Sequence, residues 1–105
     1  MLKLPNTITG LVAHPLSGDA VLQQEIVAEQ ASSLGHAGRR AALALERLAG
    51  DDGTDAERAR RLLQAAADAV HSYFIQRELC GFRGHEAVIR DLAIPARVLA
   101  RLGAR

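Results

Sequence analysis

Between Val27 and Leu48, small or apolar residues recur at alternating steps of four and three: Val27, Ala31, Leu34, Gly38, Ala41, Leu45 and Leu48. A repeat averaging 3.5 residues keeps one narrow stripe on the same side of a helix and turns it toward a partner helix, in the same chain or another. A second run, Ala59, Leu63, Ala66, Val70, Tyr73 and Cys80, keeps the rhythm with only Arg77 out of place. The pattern predicts two long helices that each need a partner. Residues Met1 to Leu16 have no such period and are punctuated by Pro5, Gly10 and Pro15. They read as part of an irregular arm over residues 1–18, with a single helical domain over 19–105. Thr7 to Val12 has enough β-branched character for a short strand, which would need an edge to pair with.

Local signals set the expected boundaries. Asp19 suits the N-cap of a first helix from Ala20 to Ala49, since its carboxylate can accept from free N–H groups of the first turn. Gly35 and Gly38 lie inside that helix, at a cost of about 1 kcal/mol each relative to alanine. The stripe stays in phase across them, so the helix is expected to be continuous, with the glycines at its closest crossing with another helix. Gly50 is expected to end it in a left-handed conformation, and Asp51-Asp52-Gly53 forms a tight polar connection. Thr54 and Glu57 match a capping box opening helix 2, which should run to about Leu79 or Cys80 and stop at Gly81. Val70, Tyr73, Phe74, Ile75 and Leu79 are expected to form the thickest part of the core. A short third helix starts near Gly84 and is broken by Ile94-Pro95. Pro95 then opens a last helix with Val98, Leu99 and Leu102 inward and Gly103 at its end.

The fold class that follows is all-α, a long antiparallel helical hairpin plus two short C-terminal helices. Composition sharpens this. Alanine makes up about a fifth of the 105 residues, aromatics only 3%, and tryptophan is absent. Each buried position therefore removes little area from water, and close helix contact must compensate. Thirty helical residues span about 45 Å, whereas a compact chain of this length has a radius of gyration near 13 Å. Two short helices cannot cover such a hairpin, so a second copy is expected to complete a helical bundle. The seven seam residues from Val27 to Leu48 are the expected oligomer interface.

From Leu22 onward the chain resembles a small bacterial family of uncharacterised helical proteins. The likeness is clearest in Gln76-Arg77-Glu78-Leu79-Cys80-Gly81 and in Ile94-Pro95-Ala96-Arg97-Val98-Leu99-Ala100-Arg101-Leu102-Gly103. It implies a recurring small bacterial protein and brings no activity, substrate, cofactor or catalytic residue with it.

Charge and chemistry-bearing residues narrow the function classes. A net charge of +1 gives no whole-protein attraction to nucleic acid or to an anionic membrane. The stretch from Arg77 onward is more basic, with Arg77, Arg83, Arg90, Arg97, Arg101 and Arg105 against Glu78, Glu86 and Asp91. Val88 to Leu102 has the apolar spacing of a helix-turn-helix, from which Arg97, Arg101 and Arg105 would project at four-residue intervals toward phosphates or guanine edges. Two short packed helices with a solvated basic face explain the same pattern more simply. A single cysteine excludes an internal disulfide and fits a reducing cytoplasm. No apolar run approaches the length of a membrane span, and the N-terminal residues do not form a secretory signal. Cys80, His71, His85, Glu78 and Glu86 crowd one region, yet their spacing is not that of a zinc site, and Cys80 falls on the apolar stripe of helix 2. Gly81-Phe82-Arg83-Gly84 lacks the lysine and hydroxyl of a phosphate loop and reads as a connecting turn. His36 and His14 have no visible partner. The expectation is a non-enzymatic, cytoplasmic homodimer with no cofactor or metal, acting as an interaction or structural module. The alternative is a small nucleic-acid-binding protein using Arg97, Arg101 and Arg105.

Overall fold

The computed structural model describes residues 18–104, which form four helices and no strand. These are α1 (Gly18–Ala49), α2 (Ala56–Leu79), α3 (Glu86–Asp91) and α4 (Ala96–Leu99). The expected strand at Thr7 to Val12, and the arm apart from Gly18, lie outside the described residues. The chain groups into two compact units, Met1–Ala31 and Ser32–Arg105.

In the first unit the described residues are the opening turns of α1. The helix already includes Gly18, so Asp19 sits in the first turn rather than at the cap. An acidic residue in the first turn still suits the positive end of the helix dipole. Large apolar side chains remain in solvent on these turns: Leu22 is 54% exposed, Ile26 42% and Val27 61%.

The second unit holds the core. α1 runs unbroken through Gly35 and Gly38. A β-carbon on Gly38 would lie 3.2 Å from the ring atoms Cε1 and Cζ of Tyr73, so this glycine leaves room for the tyrosine ring of α2. Gly35 faces only its own helix's Arg39 side chain. Ala41, Leu45 and Leu48 of α1 pack with Ala66, Ala67, Val70 and Phe74 of α2 and with Ile94 and Val98. Methyl-sized residues on both helices admit the short axis separation that an aromatic-poor core requires. Phe74 and Val70 are core residues as expected, but Ile75 is exposed and Leu79 is 72% exposed. Both lie off the buried face of α2, so the core is thinner at this end than the run of apolar residues suggested.

The connections differ from expectation in three places. Gly50 is not left-handed: its N–H donates to Glu46 O at 2.9 Å, and the positive φ falls on Gly53 instead, at 76°. The capping box does not form. Asp52 Oδ1 accepts from both the N–H (3.0 Å) and the hydroxyl (2.9 Å) of Thr54, which takes Thr54 out of competition for the cap. Asp55 caps α2 one residue later, accepting from Arg58 N–H at 3.1 Å, while Glu57 turns to Arg60. The last helix is also shorter than expected. After one turn of α4, the N–H groups of Arg101, Leu102 and Ala104 each donate three residues back, a series of tight turns rather than an α-helix.

Two chain reversals share one geometry. At the end of α2, Phe82 N–H donates to Arg77 O at 2.9 Å and Gly81 N–H to Glu78 O at 3.0 Å, with Gly81 at φ 98°. At the end of α3, Ile94 N–H donates to Ile89 O at 3.0 Å and Ala93 N–H to Arg90 O at 3.1 Å. Both are Schellman caps, which need a left-handed residue. Glycine fills that position in the first and Ala93, at φ 51°, in the second.

Candidate functional site

Three constellations were singled out in the sequence: the seam on helix 1, the group around Cys80 and His85, and the C-terminal arginines. The seam residues have different surroundings. Ala41, Leu45 and Leu48 are buried against the chain's own helices. Gly38 is covered by Tyr73. Leu34 is half-buried, while Val27 and Ala31 are exposed. The flank of α1 that the sequence assigned to another molecule is, from Gly38 onward, occupied by the same polypeptide.

Around His85 the structure builds a compact polar cluster. The imidazole stacks on Phe74, with ring centroids 4.1 Å apart and planes 5° from parallel. Arg77 Nε–H donates to His85 Nδ1 at 3.1 Å, and Arg77 Nη2 donates to Gly84 O at 2.9 Å. With Nδ1 accepting, the neutral ring carries its proton on Nε2, which donates to Glu78 Oε2 at 3.0 Å. The same guanidinium lies over the Phe82 ring at 4.9 Å. Sequence reasoning missed Arg77 and Phe74 as members. The available signal was Arg77 itself, the one polar residue on the apolar stripe of α2. Both ring nitrogens are engaged and the His85 side chain is 14% exposed, so the group fastens the Gly81–Gly84 loop to α2 and offers no free base. His71 is elsewhere, where a β-carbon added to Gly103 would lie 3.5 Å from its ring. Cys80 is half-buried with a free thiol. Among the described residues no three His, Cys, Asp or Glu side chains gather in a way that could hold a metal ion.

The arginines do not form a row on one helix. α4 ends at Leu99, before Arg101. Arg101 Nη2 donates to Gln64 Oε1 at 2.6 Å, and Gln64 Nε2 donates to Asp68 Oδ1 (2.8 Å) and to Ala104 O (3.0 Å). This side chain pins the C-terminal turns to α2. Arg97 is exposed at the rim of an open groove of about 340 Å³ lined by Leu45, Leu48 and Pro95, and Arg105 lies outside the described residues. The tight turns after Leu99 are what remove the recognition-helix geometry, since four-residue spacing aligns side chains only in an α-helix.

Among the described residues, the charged groups with perturbed titration lie in the loop before α2 and in its opening turns. Asp52 is held below the usual aspartate range, first by the Thr54 N–H and then by its hydroxyl. Glu57 is lowered by its hydrogen bond and charge contact with Arg60, which is raised in turn. All three are fully exposed. They shape the loop and the first turn of α2 and do not face a cleft.

Among the described residues no helix is long and apolar enough to cross a membrane. No curated protein and no solved structure matches the chain. A family model does match it, over residues 7–105, and the chain therefore belongs to DUF6665, a family of unknown function.

Proposed function

We propose that this protein is a non-enzymatic helical module that works by association, and that the molecule it holds along α1 is a second copy of itself. The observation that carries this reading is the uneven burial of α1. The apolar seam is buried at Ala41, Leu45 and Leu48, yet Val21, Leu22, Ile26 and Val27 stay in solvent on the same helix. Large exposed aliphatic groups on one helix are a recurrent mark of an interaction surface. Several conspicuous polar side chains, His85, Arg77, Gln64 and Arg101, hold the chain's own elements together, which supports a binding role over a catalytic one.

Sedimentation equilibrium at micromolar concentration tests this directly. A mass of twice the chain mass, with helicity retained, is the expected result. A single species at the monomer mass throughout the micromolar range would remove the proposal.

A further inference from the structure

The open groove of about 340 Å³ beside the end of α1 is built wholly within the second unit. Leu45 and Leu48 of α1, with Leu92 and Pro95 of the reversal between α3 and α4, give it apolar walls, and the methyl groups of Ala42 and Ala49 leave its mouth wide. Its charged lining comes from three elements: Glu46 on α1, Asp91 at the end of α3 and Arg97 in α4. All three are exposed, and among the described residues none of these side chains makes a hydrogen bond or an ion pair. The groove therefore presents two unpaired carboxylates and one unpaired guanidinium around an apolar slot.

Three residues before Glu46 on the same helix, Leu43 is 47% exposed. Its neighbours at i−4, i−3 and i+4 are Arg39, Arg40 and Arg47, all exposed, against Glu46 at i+3. Arg40 and Arg47 form no ion pair among the described residues, and Arg39 bonds only to the ring of His36. One molecule thus carries both an apolar knob set among arginines and an apolar slot bearing unpaired carboxylates.

We infer that a second copy seats its Leu43 in this groove and receives the first copy's Leu43 in its own. The inference rests on the homodimer reading above and names its contact within the second unit. Charge selects the occupant. The arginines around the incoming leucine meet Glu46 and Asp91, and Arg97 meets the partner's Glu46, so each unpaired group at the rim gains an opposite charge. An uncharged or acidic knob would instead desolvate both carboxylates without a partner. Position allows the contact to be made twice. Glu46 belongs both to the lining of the groove and to the surroundings of Leu43, so knob and slot are adjacent, and one two-fold axis beside Glu46 satisfies both, as an isologous interface requires. Leu45 and Leu48 keep their packing on α2, because the incoming side chain reaches only the side of them that faces the groove.

Sedimentation equilibrium at low salt is run on the wild type, Leu43→Asp and Asp91→Arg, with circular dichroism showing that each remains helical. Leu43→Asp withdraws an aliphatic side chain from two grooves at once and should raise the dimer dissociation constant at least about tenfold. Asp91→Arg sets like charges against the incoming arginines and should raise it at least about threefold. Cross-linking supplies the position. In a Cys80→Ser background, Leu43→Cys and isotopically labelled Ala93→Cys proteins are mixed and treated with a short bismaleimide; the mixed product should exceed both like-with-like products. A wild-type dimer that either charge variant leaves unmoved, or in which the mixed product is not favoured, overturns the docking of Leu43 and leaves the homodimer standing. A wild-type monomer overturns both.

Discussion

Replacing Ala93 by glycine separates backbone strain from packing in the C-terminal part of the chain. Ala93 holds φ 51° because the Schellman cap of α3 requires a left-handed residue between Leu92 and Ile94. A β-carbon in that region costs about 1–2 kcal/mol through its contact with the following carbonyl. Glycine removes this strain but gives back about 0.4–1 kcal/mol because its unfolded chain has more freedom. Ala93 is exposed, so its methyl group adds little burial to the balance. The net expectation for Ala93→Gly is a stabilisation of about 0.5–1 kcal/mol, or a rise in melting temperature of about 2–6 °C for a domain of this size. The companion change runs the other way. Gly81 occupies the same position in the cap of α2 at φ 98°, and a β-carbon there would meet nothing within 4 Å. Gly81→Ala should therefore lose about 1–2 kcal/mol from backbone strain alone. Equilibrium urea unfolding followed by circular dichroism reads both, as opposite shifts of the midpoint at constant slope. If Ala93→Gly leaves the midpoint unchanged or lowers it while Gly81→Ala behaves as stated, the strain assigned to Ala93 is absent and the cap argument fails.

The two glycines inside α1 should also respond with opposite signs. Gly35→Ala places its β-carbon 3.4 Å from the guanidinium of the exposed Arg39 side chain and should gain about 0.5–1 kcal/mol of helix propensity in thermal unfolding. That guanidinium donates to His36 Nδ1 at 2.9 Å and so gives His36 a partner that its sequence neighbours did not reveal. Gly38→Leu drives a side chain into Tyr73 and should lose about 1–3 kcal/mol; equal tolerance at both positions would contradict the contact with the Tyr73 ring. Asp52 supplies a pH test. Its folded-state pKa lies below its unfolded value, so its contribution to stability is present above the ordinary aspartate range and disappears as the pH falls through the lowered folded value. Carboxyl carbon NMR should place the Asp52 midpoint below that of an unfolded peptide, and Thr54→Val should move it part of the way back. No movement in that variant would show that the hydroxyl does not hold the carboxylate.

Much of this was legible along the chain because the responsible forces are local. Periodicity located both long helices, and the phase of the seam across Ser32 to Gly38 anticipated an unbroken α1. Pro95 and Gly81 marked boundaries by what their backbones permit. The misplaced features came from competition between neighbours: Thr54 lost the cap once Asp52 had claimed its N–H and hydroxyl, and Gly50 stayed right-handed because Gly53 made the turn. The polar cluster was visible only as the anomaly at Arg77, since its partners Phe74 and His85 are joined through a reversal of the chain at Gly81.

By itself the sequence determined helix positions, the continuity of α1 and the need for close packing among small residues, because each follows from spacing and residue volume within a few turns. Which surface faces which neighbour was a tertiary decision. Ala41, Leu45 and Leu48 carry the same pattern as Val27 and Ala31, yet the first group is buried against α2 and the turns after it, while the second is exposed. A heptad stripe states that a helix wants company; the distance over which the same chain can return determines how much of that company it supplies.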